Sequence, residues 1–351
     1  MDLPSEKQIV HKVVEMLADL LSVPARKVRL RSDPRVAGTD TIAQVGAFTF
    51  LIERKGSGAA GPVATAVEQV RRYAAAVGGR AIPLVVVPYM GEVGRQQCED
   101  AEVAWLDLSG NARIFAPGLR VVIEGKPNRF KRRGRPSSAF APKSSRIARW
   151  LLMHPDRPFT QRELAQATGV DEGLTSRIAA RLEEDRLVTR DSKGAIRPRD
   201  LTMLLDAWRE VYDFSKHQIV RGHIPARSGD VLLKQLANTF RESGVHYAAT
   251  ALGAAWLLSR FAGFRIVTMY LREQPPASVL ENLSFREDPR GATVWLVVPN
   301  DGGVFHGASD REGVCAAHPV QVYLDLKDHP ERSDEAAERL RAEFLKRRAD
   351  G

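Results

Sequence analysis

Cysteine is scarce: Cys98 and Cys315 are the only two in 351 residues. Two thiols supply neither a disulfide framework nor a cysteine-based structural zinc site, and a reduced cytoplasmic compartment is expected. Long apolar runs are missing as well. The strand-like run from Ile82 to Val87 falls far short of the roughly 20 residues of a transmembrane helix, so no membrane association is expected. Met1 to Lys7 carries two acids and leads into an amphipathic pattern, unlike a secretory signal. Helix-spaced histidine pairs are absent too. His306, His318 and His329, with Asp301 and Asp325, lie scattered and read as loop or core residues rather than metal ligands. With 44% apolar and 27% charged residues the chain has an ordinary globular composition, and its length gives room for two or three domains.

Positive charge is present, and it is concentrated. Lys126, Arg129, Lys131, Arg132, Arg133, Arg135, Lys143, Arg146 and Arg149 follow one another with no acid between them. These nine charges equal the formal net charge of +9, so the rest of the chain is close to neutral. Such a concentration points to a polyanionic partner. Pro127, Gly134, Pro136 and Pro142 keep residues 126–142 from regular structure, and the segment reads as a basic linker.

Behind the linker the pattern becomes helical. Ile147, Trp150, Leu151 and Leu152 give a helix from about Ser144 that Pro155 and Pro158 end. Thr160-Gln161-Arg162-Glu163 is a capping box opening a short second helix, closed by Gly169. Asp171 caps a third helix, from Glu172 to about Asp185, with Leu174, Ile178 and Leu182 expected on its buried stripe. Leu187–Arg190 and Ala195–Arg197 flank Asp191-Ser192-Lys193-Gly194 as a hairpin.

The first 125 residues carry an α-β-β-β-α-β order: a helix from about Ser5 to Leu21, strands at Val28–Leu30, Thr41–Ala43 and Phe48–Ile52, a helix from about Val63 to Val77, and the strand at Ile82–Val87. Glu53 and Lys55 leave the third strand on one face. An acid about a dozen residues earlier, Asp40 by choice or Asp33 as second, would bring two carboxylates and an ammonium to one point. Carboxylate oxygens suit Mg2+, and an adjacent lysine can orient an attacking water. The alternative is a solvated Glu–Lys pair at a strand end. Asp107 and Asn111 could line a site, although Ser109-Gly110-Asn111 reads first as a turn.

Beyond residue 200, Leu201, Leu204, Leu205, Trp208 and Tyr212 trace a helical stripe, either a connector or a dimer-forming helix. From Val231 helices and strands mix in a further α/β unit. A final helix from Ser333 has acids first and bases last, matching the helix dipole.

Three family resemblances attach to these residues. The segment from Ser144 to Arg197 resembles a MarR-like winged helix-turn-helix. That resemblance implies double-stranded DNA as partner, with Glu172, Gly173, Thr175, Ser176 and Arg177 at base edges or nearby phosphates, and Arg181, Arg190, Lys193 and Arg197 on phosphates. Within the linker, Arg133-Gly134-Arg135-Pro136 resembles the core of an AT-hook; the alternative is a basic linker that touches phosphates without sequence preference. Glu53-x-Lys55, followed by Gln69-Val70-Arg71-Arg72-Tyr73, resembles the PD-(D/E)xK, restriction-endonuclease-like family. It implies Asp40 and Glu53 as Mg2+ ligands, Lys55 as catalytic lysine, Gln69 and Tyr73 in support, and Glu15 as a possible helical acid. Finally, Tyr247–Leu252, Phe264–Thr268 and His318–Leu326 behind a winged helix resemble AbiEi-type antitoxins of type IV toxin–antitoxin systems. These repress their own operon and oppose a nucleotidyltransferase toxin.

The resulting expectation is an α/β multidomain chain. Residues 1–125 form a restriction-endonuclease-like domain, 126–142 a basic linker, 143–200 a winged helix-turn-helix, 201–229 a connecting helix and loop, and 230–351 an AbiEi-like α/β domain. DNA binding itself is expected to need no cofactor, Mg2+ would be needed only for cleavage, and a homodimer is possible.

Overall fold

The computed structural model describes residues 6–31, 41–77, 81–130, 139–260 and 263–349. The chain forms two compact units: residues 1–137 with 182–187, and residues 138–181 with 188–351.

In the first unit, helix α1 (Glu6–Leu20) is followed by β1 (Arg29–Arg31), β2 (Thr41–Val45), β3 (Phe48–Arg54), α2 (Ala60–Val77), β4 (Ala81–Val87), α3 (Glu92–Asp100), β5 (Ala104–Asp107), β6 (Ala112–Ala116) and β7 (Leu119–Ile123). The seven strands lie side by side in chain order. β3, β4 and β5 are parallel, because α2 and α3 carry the chain back each time, and the hairpin-joined outer strands are antiparallel. Alternation along each strand sorts the side chains. Phe50, Ile52, Leu84, Val86 and Leu106 pack with Val13 and Leu17 of α1. Leu51, Val85, Val87 and Trp105 pack with Val63, Ala66 and Val70 of α2 on the other face. Glu53 shares the parity of Leu51, so the period of two directs it toward α2.

The second unit opens with α4 (Ser145–Met153), α5 (Gln161–Thr168), α6 (Glu172–Glu184, whose last three residues are counted with the first unit), β8 (Val188–Arg190) and β9 (Ile196–Pro198). Then come α7 (Leu201–Val211), β10 (Gln218–His223), α8 (Gly229–Glu242), β11 (Tyr247–Thr250), α9 (Ala251–Ser259), β12 (Val267–Leu271), α10 (Ala277–Asn282), β13 (Arg286–Glu287), β14 (Val294–Val298), β15 (Ser309–Arg311), β16 (Val314–Ala316), α11 (Pro319–Asp325) and α12 (Ser333–Ala349). Seven of these strands form one mixed sheet in the order β13-β10-β14-β12-β11-β16-β15, and β8 with β9 forms a separate hairpin. The mixed α/β class and the central winged helix agree with expectation.

The stripe of α7 is used inside this unit. Leu204, Leu205 and Trp208 are buried, Asp206 accepts from Tyr323 at 3.1 Å, and Arg341 donates to Asp206 at 2.6 Å. Through these contacts the helix is tied to α11 and α12. None of the described helices is long and apolar enough to cross a membrane.

Candidate nucleic-acid interface

Local chemistry builds the helix-turn-helix. Thr160 and Glu163 form the full capping box: the Glu163 amide donates to Thr160 Oγ1 at 3.2 Å, and the Thr160 amide donates to Glu163 Oε2 at 2.7 Å. These bonds and Arg157 hold the Glu163 carboxyl down at about 2. Gly169 ends α5 in the left-handed region (φ +64), which a residue without a Cβ reaches at no steric cost. Asp171 Oδ1 then accepts from the Leu174 amide at 2.8 Å and opens α6.

The buried stripe of α6 differs from the expected one. Thr175, Ile178, Ala179 and Leu182 are buried, an i, i+3, i+4, i+7 row, and Leu174 is only half-buried. Thr175 is thus no base-reading residue. It faces Val170 in the core, with no exposed surface. Glu172, Gly173, Arg177 and Arg181 are exposed and Ser176 is half-buried.

In the turn of the hairpin, Asp191 Oδ1 accepts from the Lys193 and Ala195 amides, both at 2.9 Å, and Gly194 takes φ +79. That fold-back leaves Lys193 and Arg197 exposed. Arg190 is half-buried and its guanidinium lies 3.0 Å from the Gln161 side-chain amide, whose oxygen would accept from it. Arg133 and Arg135 lie outside the described residues.

Two of the nine clustered charges point away from solvent. Arg146 is forked onto Asp301, Nε to Oδ1 and Nη2 to Oδ2, each at 2.8 Å. Arg149 is buried over the Trp208 ring, 5.0 Å from its centroid. Both follow from helix spacing. They lie one turn apart on α4, on a side away from Ile147 and Leu151, and the helix is buried on that side too: Arg149 is among its buried residues and Arg146 is half-buried. Neither belongs to a DNA-facing ramp, which leaves Lys126, Arg129 and Lys143 as its exposed described members.

With the geometry of α4 to β9 in place, one comparison decides what the element is. Residues 141–197 match the MarR family. The MarR-family segment covers all three helices and nearly all of the hairpin, and it is a DNA-binding winged helix-turn-helix of the kind found in transcriptional regulators. No curated protein and no solved structure matches the chain.

In the first unit, Glu53, Lys55 and Gln69 come together. Lys55 Nζ donates to Glu53 Oε1 and to Gln69 Oε1, both at 2.7 Å, and the Glu53 side chain is 3% exposed. Tyr73 does not join them; its ring is in the apolar layer beneath α2. Asp40 and Asp33 lie outside the described residues, and Glu15 is exposed on α1 beside His11. As a hard oxygen donor beside a lysine, Glu53 suits Mg2+. It is one carboxylate, however, and no group of three His, Cys, Asp or Glu side chains that could hold a metal occurs among the described residues. Asp107 and Asn111 form a turn clamp. The Asn111 amide and Nδ2 donate to the Asp107 carboxylate at 3.0 and 2.8 Å, and the Asn111 side chain pairs with the Lys126 backbone.

The sequence reading missed a buried polar cluster in the second unit. Asp325 has no exposed surface, and its Oδ1 accepts from Tyr212 (2.5 Å), Tyr270 (2.9 Å) and Gln321 (2.6 Å), while Oδ2 accepts from Thr250. Burial outweighs these bonds and pushes the carboxyl up to about 6. His217 Nδ1 accepts from the Asn300 amide at 3.2 Å, and its Nε2 lies 3.0 Å from the Tyr212 hydroxyl. Burial, then the charge of Arg149, pushes His217 down to about 4. His329, beside Thr268 at 3.2 Å, is likewise pushed to about 4 by burial, and His306 is lowered too. The signal was present: Gln321 and Asp325, one helical turn apart, are the only polar side chains of α11 besides Tyr323.

These shifts fix the pH dependence of stability. Between about pH 4 and 6.5 the buried histidines hold fewer protons folded than unfolded, and Asp325 alone holds more up to about pH 6. The histidines outnumber it, so stability is expected to rise with pH across this window. His329→Gln should make that rise shallower by ~1.4 kcal/mol per pH unit, the value for one proton. Urea unfolding at pH 4.5, 5.5 and 6.5 measures it, and an unchanged slope would place the His329 titration elsewhere.

Proposed function

We propose that the protein is a sequence-specific, double-stranded DNA-binding transcriptional repressor of the AbiEi-antitoxin type. The observation that carries this reading is the MarR-family match at residues 141–197, on a helix α6 and a hairpin that leave Arg177, Arg181, Lys193 and Arg197 exposed. In this reading α6 enters the major groove. Arg177 donates to a guanine edge, Glu172 accepts from a cytosine amine, and Ser176 and Gly173 allow close approach to the backbone. Arg181, Lys193 and Arg197 pair with phosphates and fix the register, while Arg190 supports the hairpin from its half-buried position. Arg133 and Arg135 of the linker extend the grip along the adjoining minor groove. MarR-family proteins often act as dimers, and two copies would read half-sites about one helical turn apart. Occupying such a site at its own promoter is repression.

The antitoxin half of the reading makes a nucleotidyltransferase toxin the protein partner. A gel shift on duplexes from upstream of the protein's own coding sequence tests the first half, and relief of growth arrest on co-expression with a neighbouring nucleotidyltransferase tests the second. A protein that prefers no upstream duplex would refute the repressor.

The Glu53–Lys55–Gln69 contact supports a second reading, a Mg2+-dependent DNA endonuclease targeted by the winged helix. Asp40 and Glu53 would hold the ion, which supplies charge neutralisation at the scissile phosphate. Gln69 positions the Lys55 ammonium, and Lys55 orients a water. Plasmid DNA with Mg2+ or Mn2+ should then be nicked by the wild type and left intact by Glu53→Ala and by Lys55→Ala. Intact plasmid with the wild type, or cutting that survives both changes, would remove this reading.

A further inference from the structure

The outer strand of a sheet offers a row of backbone groups that another strand can join, and soluble chains blunt it with short length and charge. Three of the four outer strands of the two large sheets are blunted in this way. β1 is Arg-Leu-Arg, β13 is the pair Arg286–Glu287, and β15 is Ser-Asp-Arg. The fourth is not. β7 runs for five residues, Leu119-Arg120-Val121-Val122-Ile123, four of them apolar, and no described strand lies beyond it.

One face of β7 is as open as its edge. Its register with β6 sets Phe115 opposite Arg120 and Arg113 opposite Val122. Ile114, Leu119 and Val121, of the other parity, pack into the core on the α1 side. On the α2 side the apolar layer reaches Trp105 of β5 and takes in no described side chain of β6 or β7. Phe115 and Val122 are therefore each 46% exposed, and the Arg113 and Arg120 guanidiniums lie 4.8 and 5.3 Å from the Phe115 ring centre.

The order of charges on this face selects the occupant. Arg120, Val122 and Glu124 follow at alternate positions, a cation, an apolar centre and an anion, and all three are exposed. An antiparallel copy related by a two-fold axis at Val122 sets Val122 against itself and Arg120 against the partner's Glu124, once on each side of the axis. Opposite charges facing each other across two strands stabilise the pairing, and like charges oppose it. A nucleic-acid strand fits less well, because Arg113 is already paired with Glu99 at 3.3 Å and Glu124 would face its phosphates.

We propose that β7 is a self-association edge, through which two copies of this chain join their seven-stranded sheets by antiparallel β7 strands about a two-fold axis at Val122. The surface lies outside residues 141–197 and does not rest on the DNA-binding reading. Pairing β7 with itself covers the open edge and leaves the blunted β1 at each end of the joined sheet, so association stops at two copies.

Sedimentation velocity of the full chain over a concentration series at constant ionic strength tests this. The wild type should show a reversible dimer with a dissociation constant on the order of micromolar, since a five-residue edge is at the small end of specific interfaces. Arg120→Glu places like charges opposite each other on both sides of the axis and should weaken the dimer roughly 10-fold or more, as should Glu124→Arg. The chain carrying both changes restores the opposite pairs and should regain the wild-type dimer, a rescue that a merely structural role would not give. Val122→Lys sets two ammonium groups together at the axis and should give a monomer. Far-ultraviolet circular dichroism checks that these exposed changes leave the fold intact. A wild type that stays monomeric up to roughly 0.1 mM leaves the edge to a different partner and overturns the proposal. Assemblies that keep growing with concentration indicate β7 pairing with β1 and overturn the two-fold. A dimer indifferent to Arg120→Glu and Val122→Lys lies on another surface, and one that the double exchange fails to restore lacks the Val122 register; either result overturns the assignment.

Discussion

Replacing Arg177 and Arg181 together by alanine is expected to weaken binding to a preferred duplex by on the order of 10- to 100-fold, each lost contact being worth about 1–3 kcal/mol. Both side chains are exposed on α6 while Ile178 and Leu182, which hold the helix, are buried, so the fold should survive the change. The two losses should also differ in kind. Removing the base contact of Arg177 relaxes preference at one position, whereas removing a phosphate contact, as in Lys193→Ala on the hairpin, weakens all sequences alike and lowers the salt slope by about one. A gel-shift titration at two salt concentrations separates them. Unchanged affinity in the double variant would remove α6 as the recognition helix.

Asp325→Ala is the change expected to cost the most stability, roughly 3–5 kcal/mol. The carboxylate receives Tyr212, Tyr270, Gln321 and Thr250 with no exposed surface, and alanine removes the acceptor that the three hydroxyls share, while Gln321 Nε2 keeps the two tyrosine oxygens. Asp325→Asn keeps one acceptor oxygen but turns an amine toward existing donors, so it should fall between alanine and the wild type. Urea unfolding followed by far-ultraviolet circular dichroism reads both. A loss below about 1 kcal/mol for alanine would mean that the cluster is hydrated rather than closed.

Local chemistry made much of this fold readable, and long-range packing hid the rest. The capping box at Thr160 and Glu163, the Asp171 cap, the Gly169 turn and the β8–β9 turn all depend on residues within a few positions of one another, and each appears where its motif stands. The convergence of Glu53 and Lys55 was also legible, because a period of two needs only the strand. Gln69 came through its likeness to a family motif, yet Tyr73 of the same motif serves the apolar layer beneath α2. Thr175 was misread because a stripe spaced by fours and one advanced by a single residue are both plausible for a short helix; the packing partners choose. Arg146 and Arg149 show the larger limit. As two more positive charges at the end of a basic run they looked solvent-facing, and their roles depend on Asp301 and Trp208, far along the chain. The Asp325 cluster likewise draws on five separate segments; the polar pair of α11 marks one of them, and nothing local marks the other four.

The central claim is that α6 and the hairpin read a particular DNA sequence. Selection of bound duplexes from a random pool, first with the wild-type chain and then with the Arg177→Ala, Arg181→Ala variant, tests it most directly. The account predicts one enriched site for the wild type, bound on the order of a thousand-fold or more above bulk DNA, and no such site for the variant. A pool that stays unenriched with the wild type, or the same site recovered with the variant, would contradict it.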